Sequence, residues 1–155
     1  MIIMNKDSRQ RRQSGFSLVE VLITLVIMSV GMLGIAGLYV QSLQAGRTSM
    51  FRHHAVTLAG DVADRIRANP LAKADYTDAE GANSNCVLGG VDCTSAEMAA
   101  NDIFLWKAQA EESLPSGDVT IAFTDGAMPS YTITVSWVEP GETPSYVITI
   151  PVLGI

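Results

Sequence analysis

Few residues in this chain of 155 have the types and spacing that chemistry requires. The two cysteines, Cys86 and Cys93, have six residues between them, a spacing open to a disulfide, a pair of free thiols or part of a metal site. Metal is disfavoured, because there is no C-x-x-C and the histidines, His53 and His54, lie far upstream. Adjacent residues on a helix point about 100° apart, so these two do not easily converge on one ion. No G-x-S-x-G, H-E-x-x-H or phosphate-cradling glycine loop is present. The scattered carboxylates read as a solvated face. The expectation is therefore no enzyme, no cofactor and no metal centre.

One carboxylate is different. Glu20 stands at the head of residues 21–40, VLITLVIMSVGMLGIAGLYV, which carry no charge. Twenty such residues make a helix of about 30 Å, the thickness of a bilayer core. A charge near the centre of such a helix costs about 2.5–3.5 kcal/mol, and less near its end. Glu20 either reaches water at the interface or has a cationic partner. There is no Lys or Arg between Phe16 and Arg47 to serve. A cut between Gly15 and Phe16 would create one: a new α-amino group four residues before Glu20, one helical turn away in the same chain or within reach of a neighbour's Glu20.

The charge distribution orients this helix. The chain has 10 Lys and Arg against 16 Asp and Glu, a net charge of -6. Residues 1–15 hold Lys6, Arg9, Arg11 and Arg12 against Asp7, a net +3, which leaves -9 for the rest. Basic residues ahead of an apolar span stay in the cytoplasm, so everything after about Val40 is expected outside it. In a Gram-negative cell that is the periplasm, where disulfides persist, and this favours a Cys86–Cys93 bond over free thiols. The run is longer than the core of a secretory signal peptide, and no clear A-x-A-like site ends it. The acidic body disfavours nucleic acid as a partner, since phosphate binding draws on Lys and Arg.

The elements that must carry these residues follow from periodicity. Beyond Val40, Leu43, Met50, Ala55, Leu58, Ala59, Val62 and Ile66 recur at helical spacing, with Asp61, Asp64, Arg65 and Arg67 on other faces. Asn69-Pro70 ends the pattern. One helix over 16–69 would be about 80 Å long. Gly31, Gly34 and Gly37 lie in its apolar half, as close-approach positions or as a weak point. Residues 71–94 read as a loop. Thr94-Ser95-Ala96-Glu97 fits a capping box that opens a helix to about Ser113, with Ile103, Phe104, Leu105, Trp106 and Ala108 as its apolar bulk and Pro115-Ser116-Gly117 as its stop. Strand patterns cover 119–123, 131–137 and 146–152, with turns at Asp125-Gly126 and Pro140-Gly141. Short connections predict an antiparallel meander whose apolar face is covered by the later half of the long helix. The fold class is α+β.

Gly15-Phe16-Ser17-Leu18-Val19-Glu20, behind a basic leader and ahead of a long apolar run, resembles the class III signal of type IV pilins and pseudopilins. The resemblance implies a cleaved leader (1–15), a transmembrane helix that becomes filament core (16–40), its amphipathic continuation (41–70) and a globular periplasmic part (71–155), the lollipop shape of that family. It implies cleavage between Gly15 and Phe16 by a prepilin peptidase, N-methylation of Phe16, and use of Glu20 in assembly. Residues 28–34 (MSVGMLG), the segment Asp64 to Asn69 and Phe104-Leu105-Trp106 are similar to the minor pilins of the PilV type, the type IV pilus modification proteins. That implies a tip-located priming role with other minor pilins and the inner-membrane assembly platform, in support of twitching motility. A minor pseudopilin of a type II secretion system is the alternative.

Overall fold

The computed structural model describes residues 15–77, 80–87 and 91–152, so most of the expected leader lies outside the described residues. Helix α1 runs Leu18–Ala68, a short 3-10 helix η1 Lys73–Thr77, helix α2 Ser95–Ser113, and strands β1, β2 and β3 cover Asp118–Thr124, Ser130–Ser136 and Ser145–Pro151. This is the α+β arrangement of a long N-terminal helix and a small C-terminal antiparallel sheet. The chain divides within α1 into two compact units, residues 1–43 and 44–155.

In the first unit α1 is uninterrupted. Gly31, Gly34 and Gly37 are helical, and beyond the adjoining residues and the helix's own backbone no described atom lies within 4 Å of where a Cβ would stand at any of them. Packing inside the chain therefore gives no reason for glycine there.

The second unit is built around one core. From α1 it takes Ala55, Leu58, Ala59, Val62, Ala63 and Ile66, a stripe at steps of three and four. Leu43 and Met50, expected on that stripe, are 53% and 52% exposed. Periodicity marks the apolar face but not how far along it the cover reaches; here cover begins at the half-buried Phe51.

The segment expected as loop contains η1, held by Tyr76. That ring stacks on Trp106 with centroids 5.8 Å apart and meets Tyr131 edge-on at 6.3 Å. Five residues around one aromatic anchor give periodicity too little to register. Cys86 and Cys93 are joined by a disulfide with Cα atoms 5.8 Å apart. Nearby, Gly81 has φ +67, and a Cβ there would stand 2.6 Å from both Ala100 O and Phe104 N, so only glycine lets the strap approach α2.

Helix α2 opens on the expected capping box: Glu97 N–H donates to Thr94 Oγ1 at 3.3 Å, and Thr94 N–H to Glu97 Oε2 at 2.9 Å. Its inward face is Ala99, Ile103, Trp106 and Ala110. Phe104, Leu105 and Ala108 are exposed rather than core, because α2 rests on the core along one stripe only.

The sheet order is β1-β2-β3, antiparallel throughout. Three cross-strand rows face the core: Val119–Val135–Tyr146, Ile121–Ile133–Ile148 and Phe123–Tyr131–Ile150. Hydroxyl residues dominate the other face, with Thr132 and Thr149 within 3.4 Å. Strand β2 stops at Ser136, one residue short of the expected end. Trp137 N–H still donates to Pro144 O at 3.1 Å, and the turn beyond it closes through Glu139 and Glu142, with Gly141 at φ +91.

Candidate functional site at the start of the N-terminal helix

Gly15, Phe16 and Ser17 precede α1 without helical structure, and Phe16 is 85% exposed. Glu20 lies in the first turn, where a carboxylate complements the unbonded N–H groups of a helix N-terminus. With Phe16, Val21, Thr24 and Leu25 it lines a shallow concavity on the helix surface. It makes no ion pair among the described residues. The hydroxyls that follow are satisfied within the helix. Thr24 Oγ1 donates to Glu20 O at 2.7 Å and Ser29 Oγ to Val26 O at 2.8 Å, so neither is an unbonded donor in the apolar stretch.

Every side chain of α1 from Leu18 to Arg47 is exposed, including Leu33 at 73% and Ile35 at 69%. This is the one helix among the described residues long and apolar enough to cross a membrane. An apolar surface of that extent is far beyond what a free monomer in water presents. Lipid or other protein must cover it, and Glu20 is the single charge set between Leu18 and Gly46.

The second unit holds a polar network that sequence reasoning missed. Arg65 of α1 pairs with Asp102 of α2, and Tyr76 Oη donates to the other Asp102 oxygen at 3.2 Å. Asn69 Nδ2 donates to Tyr76 Oη at 3.2 Å and to Ser95 O at 2.9 Å, while Trp106 Nε1 donates to Asp61 Oδ2 at 3.1 Å. Asp102, grouped by sequence with the solvated carboxylates, is buried. Burial pushes its carboxyl above the ordinary carboxylate range, although Arg65 pulls it back. Its helical phase was the available signal: position 102 lies three residues after Ala99 and four before Trp106.

A second tie joins α1 to the end of the sheet. Thr48 Oγ1 donates to Glu139 Oε2 at 2.6 Å and Trp137 Nε1 to Glu139 Oε1 at 2.8 Å. These donors, Thr48 first, hold the Glu139 carboxyl below its ordinary range. His53 is exposed and His54 half-buried, with ring centroids 6.3 Å apart.

The exposed apolar helix with one acid in its first turn, continuing into a small α+β core, defines a helix-anchored subunit made to be covered along its first half. Two family models match the chain: the prokaryotic N-terminal methylation motif at residues 10–36, and the Tt1218-like family, described as type IV pilin Tt1218, at residues 37–104. The chain belongs to the type IV pilin superfamily. No curated protein matches it, and no solved structure does.

Proposed function

We propose that this chain is a minor pilin of a type IV pilus, made as a precursor and assembled by its N-terminal helix. A prepilin peptidase removes residues 1–15 by cutting between Gly15 and Phe16 and methylates Phe16. Residues 16–40 then anchor the chain in the inner membrane with the globular part in the periplasm, and later exchange lipid for the filament core. Glu20 meets the α-amino group of Phe16 on a neighbouring subunit, so a buried carboxylate gains the cation that its own segment lacks. Acting with other minor pilins, in the manner of the PilV type, the chain primes assembly and stays near the tip. Its role is structural, in keeping with its superfamily.

The observation that carries this reading is the full exposure of α1 from Leu18 to Gly46, an apolar stretch whose only charge is the Glu20 carboxylate in the first turn. Mass spectrometry of native protein should find methylated Phe16 at the N-terminus. Gly15→Leu should leave an uncut precursor in the membrane, and Glu20→Ala should be cut yet fail to enter filaments. A mature chain that keeps its basic residues and still assembles would overturn the proposal. Deleting the gene separates pilus from secretion system: lost twitching with intact secretion supports a pilin, and the converse a pseudopilin.

A further inference from the structure

Two charges in the second unit lack a countercharge, and they line the same groove. The α1 stripe that buries Ala55 and Leu58 continues toward the helix N-terminus through Phe51, Arg47 and Gln44. Cover thins along it: Phe51 is half-buried, whereas Arg47 and Gln44 are exposed. Opposite stand Pro115, after α2, and Val138 and Glu139, after β2, with Val138 N–H donating to Pro115 O at 2.8 Å. The space between the two sides is a groove of about 720 Å³.

Glu139 is only 9% exposed, and the Thr48 and Trp137 donors on its two oxygens hold it ionised. Neither donor carries charge. No Lys, Arg or His among the described residues lies at ion-pair distance from Glu139, and Arg52 acts on it only from farther away. Arg47 has no ion pair among the described residues either. An enclosed carboxylate without a cation is unfavourable, and two hydrogen bonds use about half of its lone-pair sites. A ligand that carries both charges compensates both residues at once.

Position along α1 says what kind of ligand. Gln44 and Arg47 follow Val40, the end of the uncharged run, by about 6 and 10 Å of unbroken helix. A bilayer has a hydrocarbon core of about 30 Å and a total thickness of about 40–45 Å, so each headgroup layer is about 5–8 Å deep. Helical side chains lean toward the helix N-terminus, here toward the span. A guanidinium binds phosphate through paired N–H donors, and a carboxylate accepts from a primary ammonium. Phe51, Pro115 and Val138 offer apolar surface to the glycerol and the first methylenes. We infer that this groove holds the headgroup of a lipid bearing phosphoethanolamine, with its phosphate on Arg47 and its ammonium on Glu139; this rests on the membrane-anchor reading above.

The test titrates the full-length chain in detergent with lipids of one acyl composition and three headgroups: phosphoethanolamine, phosphocholine and phosphoglycerol. Native mass spectrometry counts the bound lipid. One phosphoethanolamine lipid should bind several-fold more tightly than either of the others, since phosphocholine has no N–H to donate and phosphoglycerol no cation. Arg47→Gln should weaken all three several-fold. Glu139→Gln keeps one acceptor oxygen and should weaken the phosphoethanolamine lipid alone, erasing the preference. Arg67→Gln, in the exposed pair with Asp64, should leave binding unchanged. Equal affinity for the three lipids, tightest binding of the phosphoglycerol lipid, or wild-type binding by Arg47→Gln overturns the inference. So does displacement by free phosphoethanolamine at equal concentration, which would make the ligand a soluble zwitterion. If Glu139→Gln melts early, the headgroup series and Arg47→Gln decide. Recovery of the full chain in the soluble fraction of cells would sink the anchor reading itself, a distinct outcome.

Discussion

Arg65 on α1 pairs with Asp102 on α2, and this pair fixes the long helix to the short one at the centre of the second unit. The Asp102 side chain is 4% exposed and Arg65 34%, so the acid is enclosed while the base keeps partial contact with water. Removing Arg65 leaves an enclosed carboxylate with, among the described residues, the Tyr76 hydroxyl alone to serve it.

Arg65→Ala should therefore cost about 2–4 kcal/mol, reduced from the fully buried case because Arg65 is partly hydrated. Arg67→Ala, which breaks the exposed pair with Asp64, should cost about 0–1 kcal/mol. Denaturant melts of the detergent-solubilised variants, followed by tryptophan fluorescence, give the comparison. Equal losses would show that the enclosed pair has no special weight.

Alkaline pH should weaken the second unit through Tyr76. Burial, the largest cause, pushes its phenol from 10.0 up to about 12. The folded chain thus holds this proton more tightly than the unfolded chain. The resulting stability is complete below pH 10 and is lost as pH rises toward 12. Tyr76→Phe gives up the bonds to Asn69 and Asp102 at neutral pH, yet should flatten the decline between pH 10 and 12. Melting curves across that range, with tyrosinate absorbance as a second readout, would reveal the slope change.

Acid acts in the opposite sense through the capping box. The Thr94 backbone N–H, then its hydroxyl, hold the Glu97 carboxyl below its ordinary 4.5. Its contribution is present above the ordinary value and is lost as pH falls through the lowered one. Glu97→Ala should remove that acid-side dependence, read from helix content by circular dichroism between pH 2 and 5 (a range set by ordinary carboxylate values of about 4). A dependence unchanged in the variant would contradict the cap.

Two glycines should answer in opposite ways to alanine. Gly81→Ala forces a Cβ against α2 backbone at a positive φ, and should cost about 2 kcal/mol or more. Gly34→Ala meets open space on a helix and should raise helix stability in detergent by up to about 1 kcal/mol. Hydrogen exchange at the Ala82 amide, bonded to Ala100 O at 2.9 Å, should accelerate only in Gly81→Ala.

Reduction of Cys86–Cys93 should lower stability by about 2 kcal/mol, the scale for so short a closed loop. Alkylation of the native chain without reductant should add no mass at either cysteine. Labelling of both would show free thiols.

How much was legible in the sequence depended on how local the cause was. The bounds of α2 could be read because Thr94, Glu97 and Pro115 act within one helical turn of themselves. The apolar run behind Glu20 could be read because hydropathy and charge need no fold to be counted. The strands could be read because alternation marks one face, and β2 alternates cleanly through Tyr131, Ile133 and Val135. The η1 turn, the exposure of Phe104 and Leu105, and the enclosure of Asp102 could not, because each depends on which distant surface arrives there.

Sequence by itself determined a membrane-length helix, one acid within it, a basic head, and the order of helix and strands that follows, since these come from composition and periods along a single segment. Tertiary structure alone decided that Arg65, Asn69, Tyr76 and Asp102 share one network, that Thr48 reaches Glu139, and that η1 and α2 pack beside β1. Most of those relations join residues tens of positions apart, and only the packed core brings them within bonding distance.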